Sequence, residues 1–193
     1  PEDFNSIQGA IDASENSDTI FVDPGIYFEN INFNGKSIVV SSKYLLNNDS
    51  LLIGITIIDA GNVGSVVTFN NDENSNTILQ GFTLQNGNGN NEDPDDNGSF
   101  YTYGGGIYCE NADPHIKDCI IQNNTANEGG GAGIFCSLDN YANLISKGNI
   151  NSSFPSAGPV TYGRWYILIK IATVMKIFLE QLNILLIRRR IQT

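Results

Sequence analysis

Residues 1–142 contain no arginine, and their only lysines are Lys36, Lys43 and Lys117. The same stretch holds 20 of the 21 acidic residues, a net charge of −17. A surface of that sign repels phosphate, so nucleic acid is excluded as a partner. Histidine is nearly missing too. His115 is the single one; it follows Asp113-Pro114 and reads as a surface turn residue. Cysteine is scarce, with Cys109, Cys119 and Cys136 only. An odd number leaves at least one thiol free or paired elsewhere. A clean membrane span is also lacking. The apolar run from Ile167 to Ile187 ends at Arg188-Arg189-Arg190, but Lys170, Lys176 and Glu180 interrupt it. A span needs about 20 nearly uncharged residues, so a membrane is not expected. No signal peptide is evident, and the start at Pro1 reads as a processed or truncated end.

Long helical periodicity is likewise absent. One short segment, Phe4 to Ala13, places Phe4, Ile7, Ala10 and Ile11 on one helical face, and Asn5 or Ser6 is positioned to cap it. Beyond it stand short β-branched runs between polar turns. They include Thr19-Ile20-Phe21-Val22, Ile26-Tyr27-Phe28, Ile31-Asn32-Phe33, Ser37-Ile38-Val39-Val40, Gly54 to Asp59 and Ser65 to Phe69. Thr77-Ile78-Leu79, Phe82-Thr83-Leu84, Gly106 to Cys109, Cys119-Ile120-Ile121 and Gly133 to Cys136 continue the series. Gly105-Gly106-Ile107-Tyr108-Cys109 recurs as Gly131-Ala132-Gly133-Ile134-Phe135-Cys136, with 27 positions between Cys109 and Cys136. A repeat of about 20–30 residues carrying two or three short strands predicts stacked coils. A β-sandwich also has many short strands, but it does not account for this recurrence.

The opening resembles pectate-lyase-like β-helix proteins, and pectin methylesterases begin in a similar way. The residues that carry this are Phe4 to Ala13 and then Asp18-Thr19-Ile20-Phe21-Val22-Asp23-Pro24-Gly25-Ile26-Tyr27-Phe28-Glu29-Asn30-Ile31. Gly81 to Gly87 and the Gly-Gly-Ile-Tyr repeat resemble bacterial right-handed β-helix repeat proteins. Ile121 to Ala126, followed by Gly129-Gly130-Gly131, resembles repeats of polymorphic outer-membrane adhesins. The resemblance covers about residues 4–150. It implies an all-β, right-handed parallel β-helix of about five coils. Residues 1–17 are then a helical cap, 18–150 the coils, and 151–193 an atypical tail. The tail has a net charge of about +6 from residue 143 onward. It reads as a capping helix or as a frameshifted coil. Arg164-Trp165-Tyr166-Ile167, encoded AGG-TGG-TAT-ATA, gives Gly-Gly-Ile-Tyr one base out of frame.

The resemblance carries fold more than activity, because one fold hosts many functions. The paired aspartates and arginine of pectin methylesterases have no match. Asp95-Asp96 is a lone pair in a polar loop, and His115 lacks the acids and base of polygalacturonases. No catalytic residue is therefore assigned. The expected role is an extracellular or cell-surface module, monomeric, for adhesion or carbohydrate binding, with polysaccharide or cell-surface glycan as its partner. The alternatives are a polysaccharide lyase or hydrolase fragment whose catalytic coils lie elsewhere, and a structural spacer. Tyr101, Tyr103 and Tyr108 are the candidate sugar-stacking residues; otherwise they shield a coil edge. Asp93, Asp95 and Asn97, before Gly98, form half a calcium loop whose closing position is Gly104. Ca²⁺ is the one cofactor considered, against a plain solvated insertion. Cys109 and Cys136, one coil apart, are expected to stack as small hydrophobes or to lie within disulfide range.

Overall fold

The structure, a computed structural model, describes residues 4–92 and 101–136. It opens with helix α1 (Ile7–Ala13), followed by β1 (Thr19–Val22), β2 (Gly25–Phe28), β3 (Ile31–Asn32) and β4 (Val39–Ser42). Two short helices, α2 (Tyr44–Asn47) and α3 (Leu51–Ile55), precede β5 (Thr56–Asp59) and β6 (Val67–Phe69). Then come β7 (Ile78–Gln80), β8 (Thr83–Gln85), β9 (Asn90–Glu92) and β10 (Tyr101–Tyr103). The last are β11 (Ile107–Cys109), β12 (His115–Lys117), β13 (Ile120–Gln122), β14 (Glu128–Gly130) and β15 (Ile134–Cys136).

Three sheets contain four strands each, ordered β1-β4-β7-β12, β2-β5-β8-β13 and β3-β6-β11-β15. Every pairing within them is parallel. The chain enters the first, second and third sheets in turn, then returns to the first. This order is compatible with the solenoid that the repeat predicts. A fourth, small sheet, β9-β10-β14, pairs an insertion before β11 with β14, which precedes β15.

The core follows from strand alternation, since every second side chain faces the same way. Ile20, Val40, Leu79 and Ile116 share one register column. Tyr27, Ile58, Leu84 and Ile121 form the second, and Ile31, Val67, Ile107 and Ile134 the third. All twelve belong to one apolar cluster or pack against it. Each buried aliphatic side chain contributes about 1.5–3 kcal/mol. The columns fix register, because a slip of one residue would turn the apolar set outward.

Return distances are less regular than the repeat suggests. Thr19 pairs with Val39, 20 positions on; Ile107 pairs with Ile134, 27 on; Val67 pairs with Ile107, 40 on. Insertions account for the long returns: α2 and α3 after β4, and the β9–β10 segment before β11. The run Gly54 to Asp59 is accordingly not all strand. Its first two residues end α3, whose start is set by Asp49, which accepts from the Leu51 N–H at 3.0 Å. The strand expected from Ser37 begins at Val39.

The Gly-Gly-Ile repeat has a steric cause. Gly104 and Gly131 have φ of +64° and +70°, and a Cβ on either would lie 2.4 Å from the carbonyl oxygen three residues ahead. Glycine alone fits that corner in both layers.

Helix α1 is tied down at both ends. Ser6 Oγ accepts from the Gly9 N–H at 3.0 Å, as a capping serine should. Glu29 accepts from the Ile7 and Gln8 N–H groups at 3.0 and 2.9 Å, placing negative charge at the positive end of the helix. Lys36 Nζ donates to the carbonyls of Ile11, Asp12 and Ser14 at 2.6, 2.8 and 2.8 Å. Ile7 and Ile11 enter the core. The Gln8 amide meets edge strand β3 as a strand would: it accepts from Asn32 N at 2.8 Å and donates to Asn32 O at 3.1 Å. Part of an open sheet edge is thereby closed.

Candidate functional site

The outward column of the third sheet runs Asn32, Thr68, Tyr108, Phe135, a change from polar to aromatic. The inserted β9–β10 hairpin is anchored beside this column. Asn90 accepts from Ser65 N at 3.1 Å and donates to Thr68 Oγ1 at 3.2 Å. The Asn88 and Gly89 N–H groups both donate to Gly64 O, at 2.9 and 3.1 Å. On β10, Thr102 N donates to Asn127 O at 3.0 Å, and Thr102 Oγ1 accepts from Asn127 N. With Thr102 fixed on one face of the strand, Tyr101 and Tyr103 occupy the other.

Tyr103 meets Phe135 with ring centroids 4.8 Å apart and planes tilted by 49°. Phe135 stacks on Tyr108 at 5.4 Å and 22°. Offset and tilted pairs of this kind are favourable for aromatic quadrupoles. Tyr108 donates its hydroxyl to Glu110 Oε2 at 3.0 Å. The three tyrosines chosen from sequence therefore divide. Tyr101 and Tyr103 are half-buried and retain accessible surface, as does Phe135. Tyr108 is 2% exposed and forms the floor beneath Phe135. Phe135 was not singled out by the sequence reading, although its place in the repeat, opposite Tyr108, pointed to it. At the other end of the column, Asn32 donates to Asn70 Oδ1 at 3.1 Å and Asn71 to the same oxygen at 2.8 Å. Ring faces beside the Glu110 carboxylate offer both contacts that a sugar needs, apolar C–H stacking and hydroxyl hydrogen bonds.

Asp93, Asp95 and Asn97, and with them Asp95-Asp96, lie outside the described residues. So does everything from residue 137 onward, including the tail. Among the described residues no group of three or more His, Cys, Asp and Glu side chains is placed to hold a metal ion. No helix among them is long and apolar enough to cross a membrane.

Two buried carboxylates stand apart from the aromatic strip. Glu73 accepts from Gly35 N at 2.9 Å and Asn71 N at 3.0 Å, joining two turns. Asp59 ends an amide ladder across three layers: Gln122 donates to Gln85 at 3.0 Å, and Gln85 to Asp59 Oδ2 at 2.9 Å. Asn86 adds 2.8 Å to the same oxygen, and Gly61 N donates to Oδ1 at 2.9 Å. Burial pushes the Asp59 carboxyl up, but the bonds from Gln85, Gly61 and Asn86 together outweigh it and hold the pKa below its usual value. Both carboxylates spend their oxygens on architecture.

His115 lies on the outward face of β12, in the column of Thr19, Val39 and Ile78. Cys109 and Cys136 are register partners on β11 and β15, and their thiols are free. The Cys136 thiol beside it and then burial push the Cys109 thiol up. Cys119 is buried alone, and burial pushes it to about 12. No protein-family model matches the chain, and no curated protein matches it either.

Proposed function

We propose that the chain is a right-handed parallel β-helix module, secreted or held at a cell surface, that binds neutral polysaccharide or glycan. The observation that carries this reading is the strip of Tyr101, Tyr103 and Phe135 on and beside the β9–β10 hairpin, floored by Tyr108, whose hydroxyl meets Glu110. The cyclic strand order and four-deep parallel sheets support the β-helix. The repeat and the opening motif support its extracellular setting. Charge selects the ligand: a net of −17 over residues 1–142 disfavours uronate polymers and leaves uncharged sugars. Rings seated on a packed floor lose little freedom on binding, which favours recognition.

A glycan array probed with the full chain tests the reading. Hits among neutral plant and algal polymers are expected, weakened about tenfold by Tyr103→Ala, the loss appropriate to one stacking contact. A blank array would reject binding and leave a structural spacer.

A further inference from the structure

We propose that Cys109 and Cys136 form a reversible disulfide that clasps β11 to β15. The two residues are direct partners in a parallel ladder whose flanking pairs, Ile107 with Ile134 and Tyr108 with Phe135, are also in register. Neighbouring strands lie about 4.8 Å apart, inside the range of about 4.4–6.8 Å between Cα atoms that a disulfide spans. Strand alternation sends both side chains to the same face, into the apolar cluster. The Cys109 thiol donates to Ala112 O at 3.3 Å, which holds its sulfur in place. Cys119 is the internal control. It lies after β12, donates to Lys117 O at 3.2 Å and has no cysteine as register partner.

The oxidant is a disulfide reagent, either a small molecule or an oxidoreductase. Cys136 is half-buried where Cys109 is buried, so Cys136 reacts first. Its thiolate attacks one reagent sulfur, the reagent S–S bond breaks, and one reagent thiol leaves with the proton that Cys136 gave up. Cys109 Sγ then attacks the Cys136 sulfur of the mixed disulfide, loses its own proton and releases the second reagent thiol. Two protein thiols are oxidised, and one reagent disulfide is reduced to two thiols. This proposal rests on the sheet register alone and is independent of sugar binding.

The test uses the full chain, equilibrated with oxidised glutathione or with dithiothreitol, then unfolded, alkylated and mapped by mass spectrometry. Oxidation should lower the number of alkylated thiols from three to one and yield a peptide pair linking Cys109 to Cys136, with Cys119 alkylated. Cys119→Ala should retain the link, and Cys136→Ala should abolish it. The thermal midpoint of the oxidised chain should rise by about 5–10 °C. Three alkylated thiols after oxidation, a link through Cys119, or a link between two chains would overturn the proposal. Cys119→Ala leaves the pair untouched, so the test survives any folding failure of Cys136→Ala.

Discussion

At the scale of single residues, polar side chains set the geometry around the core as firmly as apolar ones fill it. Asp59 receives three hydrogen bonds on its two oxygens, and its folded pKa lies below that of the unfolded chain. The sign is therefore fixed. Its contribution is present above the unfolded value of about 4 and disappears as pH falls through the lower folded value. Asp59→Asn replaces one accepting oxygen with a donor that faces at least one further donor, the Gly61 N–H. We expect a loss of about 1–3 kcal/mol at neutral pH, by urea unfolding, with a smaller difference between variant and parent at low pH. An unchanged gap down to acid would show that the ladder does not depend on ionised Asp59.

Some residue roles were legible in sequence and others were not, for a physical reason. Ser6 as a cap, the columns through Ile107 and Ile134, and the pairing of Cys109 with Cys136 follow from local spacing or from the repeat. Gln8 and Lys36 act on backbone 22 to 25 residues away, which no local pattern reveals. Tyr108 reads as an outward residue on its strand, and it is outward. Its burial comes in part from Phe135, which stacks on it from the neighbouring strand.

At the scale of elements, α1 is a lid on the first layer, held by Glu29 at its start and Lys36 at its end. Seven residues are too few for a helix to persist alone in water. Its existence thus depends on those ties and on Ile7 and Ile11. Lys36→Met removes the donor to three carbonyls, and a loss of about 1–2 kcal/mol in chemical denaturation is expected. Hydrogen exchange should quicken first in α1 and β3, while β8 and β11 stay protected. Uniform loss of protection would mean that the lid and the stack open together. The helices α2 and α3 escaped the sequence reading because four and five residues are too few to show a helical period. The hairpin was foreseen only as an interruption of the repeat. If its loop residues Asp93, Asp95 and Asn97 hold Ca²⁺, millimolar calcium should raise the melting temperature of the chain. Coincident melting curves with calcium and with chelator would dismiss that site.

At the scale of the whole molecule, each strand of the three parallel sheets pairs only with the strands beside it, so stability accumulates from neighbour to neighbour. The unequal returns along the first sheet, 20 residues from Thr19 to Val39, 39 from Val39 to Ile78 and 37 from Ile78 to His115, have a mechanical counterpart. Hydrogen bonds between layers run along the stacking direction, so a force drawing β1 away from the sheet loads them a layer at a time, as in opening a zipper. Each layer that yields frees a different length of chain, about 7 nm for the shortest and about 14 nm for the longest at about 3.3–3.6 Å per residue. Single-molecule pulling should therefore give a sawtooth of unequal steps, one short and the rest about twice as long. The molecule carries its own ruler, graduated by where its insertions fall.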